Sequence, residues 1–203
     1  MLYPFAIKTK WYYEDKSVQS RKIKGKAIIA SNHHDLYDVG AIIFTFPFRT
    51  PRCLMAELLY KKNPFFTFFI KSLGGIKVDR NSNDLTFINK SLKILEKGGL
   101  IEVYPEARLP KPGEETPLPF TTSTVYLALE SGAPIIPIYN NGVYFKKERN
   151  RIIIGKPFNA ADYYDASLSE TENIENITRI LRDKIIELGN ELERQQKETS
   201  QTT

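Results

Sequence analysis

Apolar positions along this 203-residue chain change their period several times. Phe5, Ile7, Thr9, Trp11 and Tyr13 fall at every second place, the period of a half-buried strand. Lys26-Ala27-Ile28-Ile29-Ala30 is almost wholly apolar, as a strand covered on both faces reads. Asp38 to Phe44 resumes with mixed helical character until Pro47 stops it. Asn83 or Asp84 can cap a helix whose Leu85, Ile88, Leu92 and Leu95 share one face, and Gly98-Gly99 ends it. Leu100 to Tyr104 then reads as a strand, Phe120 to Ser131 as a helix closed by Gly132, and Ile135–Tyr139 and Arg151–Ile154 as two more strands. From Ser167 to Gln196 a charged amphipathic helix carries Ile174, Ile177, Ile180, Leu181, Ile185 and Leu188 on its apolar side. The closing KETSQTT reads as a disordered tail.

Strands alternating with helices predict a single α/β domain over residues 1–166, with a central sheet flanked by helices, followed by the C-terminal helix and tail over 167–203. Sites in such sheets gather at the C-terminal ends of strands. The places to look are after Ala30, before Arg80 and after Tyr104.

The first place is SNHHDLYD, Ser31 to Asp38, which holds both histidines of the chain. Histidine exchanges a proton near neutral pH, and a nearby acid fixes its tautomer and stabilises its cation. On a continuous helix His33 and Asp38 would stand about 140° apart. They pair only if His33 lies at the mouth of a loop and Asp38 in the first turn beyond it. His34 and Asp38, at i and i+4, would share a helix face without that bend. Spacing leaves both pairings open, beside a plain reading in which Asn32 or Asp35 caps a helix and both rings are solvated.

At the second place, Gly74 and Gly75 permit close backbone approach and Arg80 offers a planar fork suited to phosphate. At the third, Glu106 and Arg108 put an acid and a base directly after a buried strand, where a local ion pair is the simple reading. Pro134-Ile135-Ile136-Pro137-Ile138 is core strand.

The net charge of +5 favours an anionic partner, whether nucleic acid, a phosphorylated metabolite or an anionic membrane surface. The basic residues are spread along the chain without a nucleic-acid motif, which argues against the first. Cys53 is the single cysteine, so an internal disulfide or cysteine-based zinc site is excluded, and two histidines with scattered acids make a poor metal site. The sequence offers neither a long uncharged apolar stretch nor the basic-then-apolar order of a signal peptide. The expectation is a cytoplasmic protein.

Taken in order, Asn32, His33 and Asp38, then Gly74, Val78, Asp79 and Arg80, then Pro105-Glu106 and Arg108, then Pro134 to Ile138 resemble the blocks of the glycerolipid acyltransferase family. The likeness is to its lysophosphatidate (1-acylglycerol-3-phosphate) type, known by an N-H-x4-D signature, and runs from residue 26 to 157. The resemblance implies that family's fold, a mostly parallel mixed sheet flanked by helices. It also implies His33 as general base, Asp38 as its orienting partner and His34 as a neighbour. Asn32, Gly74, Gly75, Arg80, Glu106 and Arg108 would serve substrate binding: Arg80, Glu106 and Arg108 around the acceptor's phosphate, and a backbone N–H near Gly74-Gly75 at the oxyanion. No metal or cofactor is implied. The donor would be acyl-CoA or acyl-carrier protein, and the acceptor a lysophospholipid, lysophosphatidate first. Another hydroxyl acceptor and a non-catalytic lipid-binding relative are the alternatives.

Departures from the family pattern are local. The third block lacks its glycine and is one residue short at Glu106-Ala107-Arg108; Asp35 stands where serine is common. An N-terminal hydrophobic helix carried by many members has no counterpart here. Two aromatic segments flanked by basic residues, Ile42 to Phe48 and Pro64 to Ile70, therefore suggest a surface peripheral to the inner face of the cell membrane, or an acyl-chain tunnel, with core packing the competing reading.

Overall fold

In the computed structural model, described over residues 8–57, 67–68, 71–72, 74–78 and 86–201, the apolar runs become strands of one sheet. In chain order these are β1 (Thr9–Tyr13), β2 (Ala27–Ser31), β3 (Arg52–Ala56), β4 (Ile76–Val78), β5 (Leu100–Val103), β6 (Ile135–Asn140) and β7 (Asn150–Ile154). Their spatial order is β1-β7-β6-β2-β5-β3-β4. From β6 to β4 every pairing is parallel. β7 runs antiparallel to β6, and β1 follows β7 in parallel. The mostly parallel mixed sheet expected from the resemblance is therefore the one present.

Strand β2 is buried along its whole length, which explains why its sequence shows no alternation. Its neighbours in sequence nevertheless face opposite ways. Ile28 and Ala30 join Leu95, Ile101, Val125, Leu127, Ile135, Leu181 and Ile185 on one side. Ala27 and Ile29 join Ala41, Ile42, Phe46, Ile138 and Ile152 on the other. The first side is covered by helices α2 (Thr86–Glu96), α3 (Ser123–Ser131) and α4 (Glu170–Gln201), the second by α1 (Tyr37–Thr45).

The boundaries depart from expectation in three places. β3 was not foreseen: its Arg52-Cys53-Leu54-Met55-Ala56 is short, contains no β-branched residue and buries only Cys53 and Met55. α3 starts at Ser123 and not at Phe120, because the Thr121 N–H and hydroxyl are both spent on the Pro105 carbonyl at 2.8 and 3.1 Å. Helix α4 continues to Gln201, through the first five residues of the expected disordered tail, whose last two lie outside the described residues. Between Gly189 and Gln201 the chain has neither glycine nor proline and is rich in strong helix formers. Nor is α4 an appendage, because Ile177, Leu181 and Ile185 lie in the main core.

Candidate active site

Strand β2 ends at Ser31, and the next residue anchors the loop. The buried Asn32 amide receives the Asn140 N–H at 2.7 Å and donates to the Asn140 carbonyl at 2.9 Å, bolting the loop to the end of β6. Its Nδ2 also donates to His34 Nε2 at 2.8 Å.

His33 then turns its ring to Asp38, with Nδ1 2.8 Å from Oδ2. That oxygen also accepts the backbone N–H groups of His34 and Asp35, at 2.6 and 2.8 Å. The loop is thus wrapped around the Asp38 carboxylate, and this wrapping supplies the bend on which the His33 pairing depended. Oδ1 accepts from Asn140 Nδ2 at 3.0 Å and from the Tyr144 hydroxyl in a short hydrogen bond. Asp38 is fully buried in the first turn of α1. A buried carboxylate is costly unless its oxygens are hydrogen-bonded, and here both are.

A carboxylate can only accept, so His33 Nδ1 donates in this bond, and in the neutral ring that tautomer leaves the lone pair on Nε2. The ring is held on a second side by Tyr104, stacked with centroids 4.1 Å apart and planes 23° apart. Its side chain is 13% exposed. His34 is placed differently: its Nε2 is taken by Asn32, and its ring lies so close over Gly142 that a Cβ there would fall 2.6 Å from His34 Cγ. Only the backbone of His34 reaches Asp38. Of the two pairings left open by spacing, the His33 one is formed.

Glu106 is buried beneath the loop. One oxygen accepts the His33 N–H at 2.7 Å, the other the Leu118 N–H at 2.7 Å. Burial pushes its pKa up, against those two hydrogen bonds, which favour the charged form. With a backbone N–H on each oxygen, Glu106 ties the His33 backbone to that of Leu118. Arg108 is exposed and forked onto Glu114 at 2.6 and 2.9 Å, and that pairing holds Glu114 down at about 2. The turn between them puts Ala107 at φ 59°, the left-handed region that favours glycine.

Gly74 and Gly75, the expected oxyanion pair, lie just before β4. Ile76 pairs with Leu54 and Cys53 with Glu102, so the glycines lie across β3 from the body of β5, short of the level of its C-terminal end. The Gly74 N–H is spent on the Lys71 carbonyl at 2.9 Å. Gly74 has φ 75° and serves close passage, since a Cβ would meet the Arg52 guanidinium at 2.2 Å. Arg80 lies outside the described residues.

Four residues of this site escaped the sequence reading: Asn140, Tyr144, Tyr104 and Glu102. Asn140 and Tyr144 reach Asp38 from more than 100 positions away. The signal available for Asn140 was a polar residue closing an apolar strand. Glu102 sits fully buried below Tyr104 and accepts its hydroxyl at 2.5 Å.

Residues 11–141 match the Acyltransferase family, which takes in the whole His33 loop and β2 to β6. A 1-acyl-sn-glycerol-3-phosphate acyltransferase of Bacillus subtilis is 27% identical over 82% of this chain and 82% of its own. One of Haemophilus influenzae is 28% identical over 94% of this chain and 80% of its own. The crystal structure of the 1-acyl-sn-glycerophosphate (LPA) acyltransferase PlsC of Thermotoga maritima shares the fold, with a TM-score of 0.59 at 19% identity over 89% of this chain and 73% of that one. With its histidine and aspartate already joined at the strand ends, this chain belongs to the Acyltransferase family.

Proposed function

We propose that the protein transfers a fatty acyl group from a thioester, acyl-CoA or acyl-carrier protein, to the free hydroxyl of 1-acylglycerol-3-phosphate, giving phosphatidate. The observation that carries this reading is the His33–Asp38 pair, whose geometry leaves Nε2 as a base at the edge of the loop. Both named relatives support the acceptor.

In this mechanism His33 Nε2 removes the acceptor hydroxyl proton as its oxygen attacks the thioester carbonyl. The carbon–sulfur bond breaks, and the proton passes from Nε2 to the departing thiolate. Asp38 holds the tautomer and stabilises the imidazolium. Asn32 and Glu106 fix the backbone from which the ring projects. Arg80 and Arg108 are the proposed phosphate partners, and for Arg108 that role requires leaving Glu114. No helix among the described residues is long and apolar enough to cross a membrane, in keeping with a peripheral, cytoplasmic-face enzyme.

The test is mass-spectrometric detection of phosphatidate from lysophosphatidate and each donor. His33→Ala should lower kcat about 10²- to 10⁴-fold, the range for a lost general base, while the folded His34→Ala variant keeps turnover. No product from the wild type with either donor, or equal loss in both variants, rejects the assignment.

A further inference from the structure

The loop from β6 to β7, residues 141–149, leaves the sheet at Asn140, beside Asp38. Within it Tyr144 turns inward to Asp38. The next residue, Phe145, adopts φ 55°, a left-handed conformation disfavoured by its Cβ, and its ring turns outward with 54% of the residue exposed. Phe145 meets Tyr37 edge-on at 4.7 Å, and Tyr37 and the adjacent Leu36 are exposed as well. Three apolar side chains therefore crown the mouth of the His33 loop. Behind them come Lys146, Lys147 and Arg149, all exposed, with Glu148 the acid among them. Arg149 also lines a separate cleft of about 340 Å³ with Lys10, Arg151 and, from α4, Gln196 and Thr199.

Exposed apolar tips backed by cations have the composition of an interfacial anchor: the tips enter the headgroup boundary while the cations meet lipid phosphates. Charge alone would suit an acidic protein equally well, but gives no reason to hold an aromatic ring in water through a disfavoured backbone conformation. The aromatic run Ile42 to Phe48 does not fill this role. Ile42 and Phe46 are core, and the exposed Phe44 and Phe48 lie at and past the far end of the nine-residue α1, about 10 Å or more along the helix from the loop. The run Pro64 to Ile70 lies largely outside the described residues, although Phe68 is exposed.

Resting on the reading of this protein as a lysophospholipid acyltransferase, we propose that Leu36, Tyr37 and Phe145, with Lys146, Lys147 and Arg149, seat the mouth of the site on an anionic bilayer. The acceptor then reaches His33 by sliding out of the leaflet and need not cross water. Because Tyr144 and Phe145 are consecutive, the segment that touches lipid is the one that holds Asp38.

Flotation of the full chain with phosphatidylglycerol–phosphatidylcholine vesicles tests this. Wild type should float, and release as salt rises toward about 1 M, where screening shortens to about 3 Å. The double variant Lys146→Glu/Lys147→Glu should partition at least about thirtyfold less, since one lysine contributes about fivefold at such a surface. Phe145→Asn, which keeps the left-handed conformation, should weaken binding about tenfold. The double variant should turn over a short-chain, water-soluble lysophosphatidate at the wild-type rate but lose turnover of acceptor embedded in vesicles. Wild type that stays in the aqueous fraction, or variants that float unchanged, overturns the anchor. A raised KM for acyl-carrier protein with normal flotation overturns it in favour of a docking site for that acidic donor. Wild type that floats yet never acylates the short-chain acceptor rejects the lysophosphatidate reading and leaves the anchor standing.

Discussion

Asp38 and Glu102 are both wholly buried, but their surroundings differ. Asp38 is ringed by donors, whereas Glu102 accepts from the Tyr104 hydroxyl, and its Oε2 has no hydrogen-bond partner among the described residues. Burial first, then the charge of Asp38, push the Glu102 pKa well up, against the Tyr104 hydrogen bond. The folded protein thus keeps a proton that the unfolded chain loses above about 4.5. Stability therefore falls as pH rises from there, because the folded state binds more protons. Glu102→Gln, which retains an acceptor for Tyr104, should raise Tm more at pH 8 than at pH 5 in calorimetry. Parallel Tm profiles would mean that Glu102 is ionised in the fold. The raised Glu106 adds to the same slope, so the variant flattens it without abolishing it. A second expectation concerns Ala107: at φ 59°, replacement by glycine should relieve about 1 kcal/mol and raise Tm by about 2–4 °C. Both features bear on what was legible. The residue types at His33 and Asp38 announced proton transfer, but the choice between His33 and His34 depended on backbone N–H groups folding onto Asp38 Oδ2, and no spacing records that.

Helix α4 is held at its start by a reciprocal pair, the Ser169 N–H to Glu172 Oε2 at 2.9 Å and the Glu172 N–H to Ser169 Oγ at 3.3 Å. Ser169→Ala should cost about 1 kcal/mol in urea unfolding. Leu181→Ala, at a fully buried position between α4 and the sheet, should cost about 2–5 kcal/mol and abolish activity only when the protein unfolds. A kcat loss in folded Leu181→Ala would instead tie α4 to the site. Periodicity revealed α4 because its apolar face is long and regular; it missed β3 because five residues with alternating partial burial carry too little pattern. Proline and the site loop shortened α3: Thr121 is tied to Pro105, so the chain cannot turn helical before Thr122.

Across the whole molecule, alternating strands and helices were sufficient to imply a layered α/β fold, but not the reversal at its edge. β1 pairs with β7, Thr9 beside Asn150, and such long-range pairing leaves no local mark in either segment. The reversal brings Lys10 and Arg151 beside Arg149, at the end of the loop that carries Tyr144, in a cleft closed by Gln196 and Thr199 of α4. On the other side of β2 lies β3, with Cys53 inside the sheet beside Glu102. Burial pushes that thiol well above its ordinary pKa, and the chain contains no other cysteine. A thiol that is both covered and protonated reacts with a disulfide reagent only when β3 leaves β5. The labelling rate of the unmodified protein is then a clock for opening of the sheet, reporting how often the floor beneath His33 comes apart, with no dye or engineered probe attached.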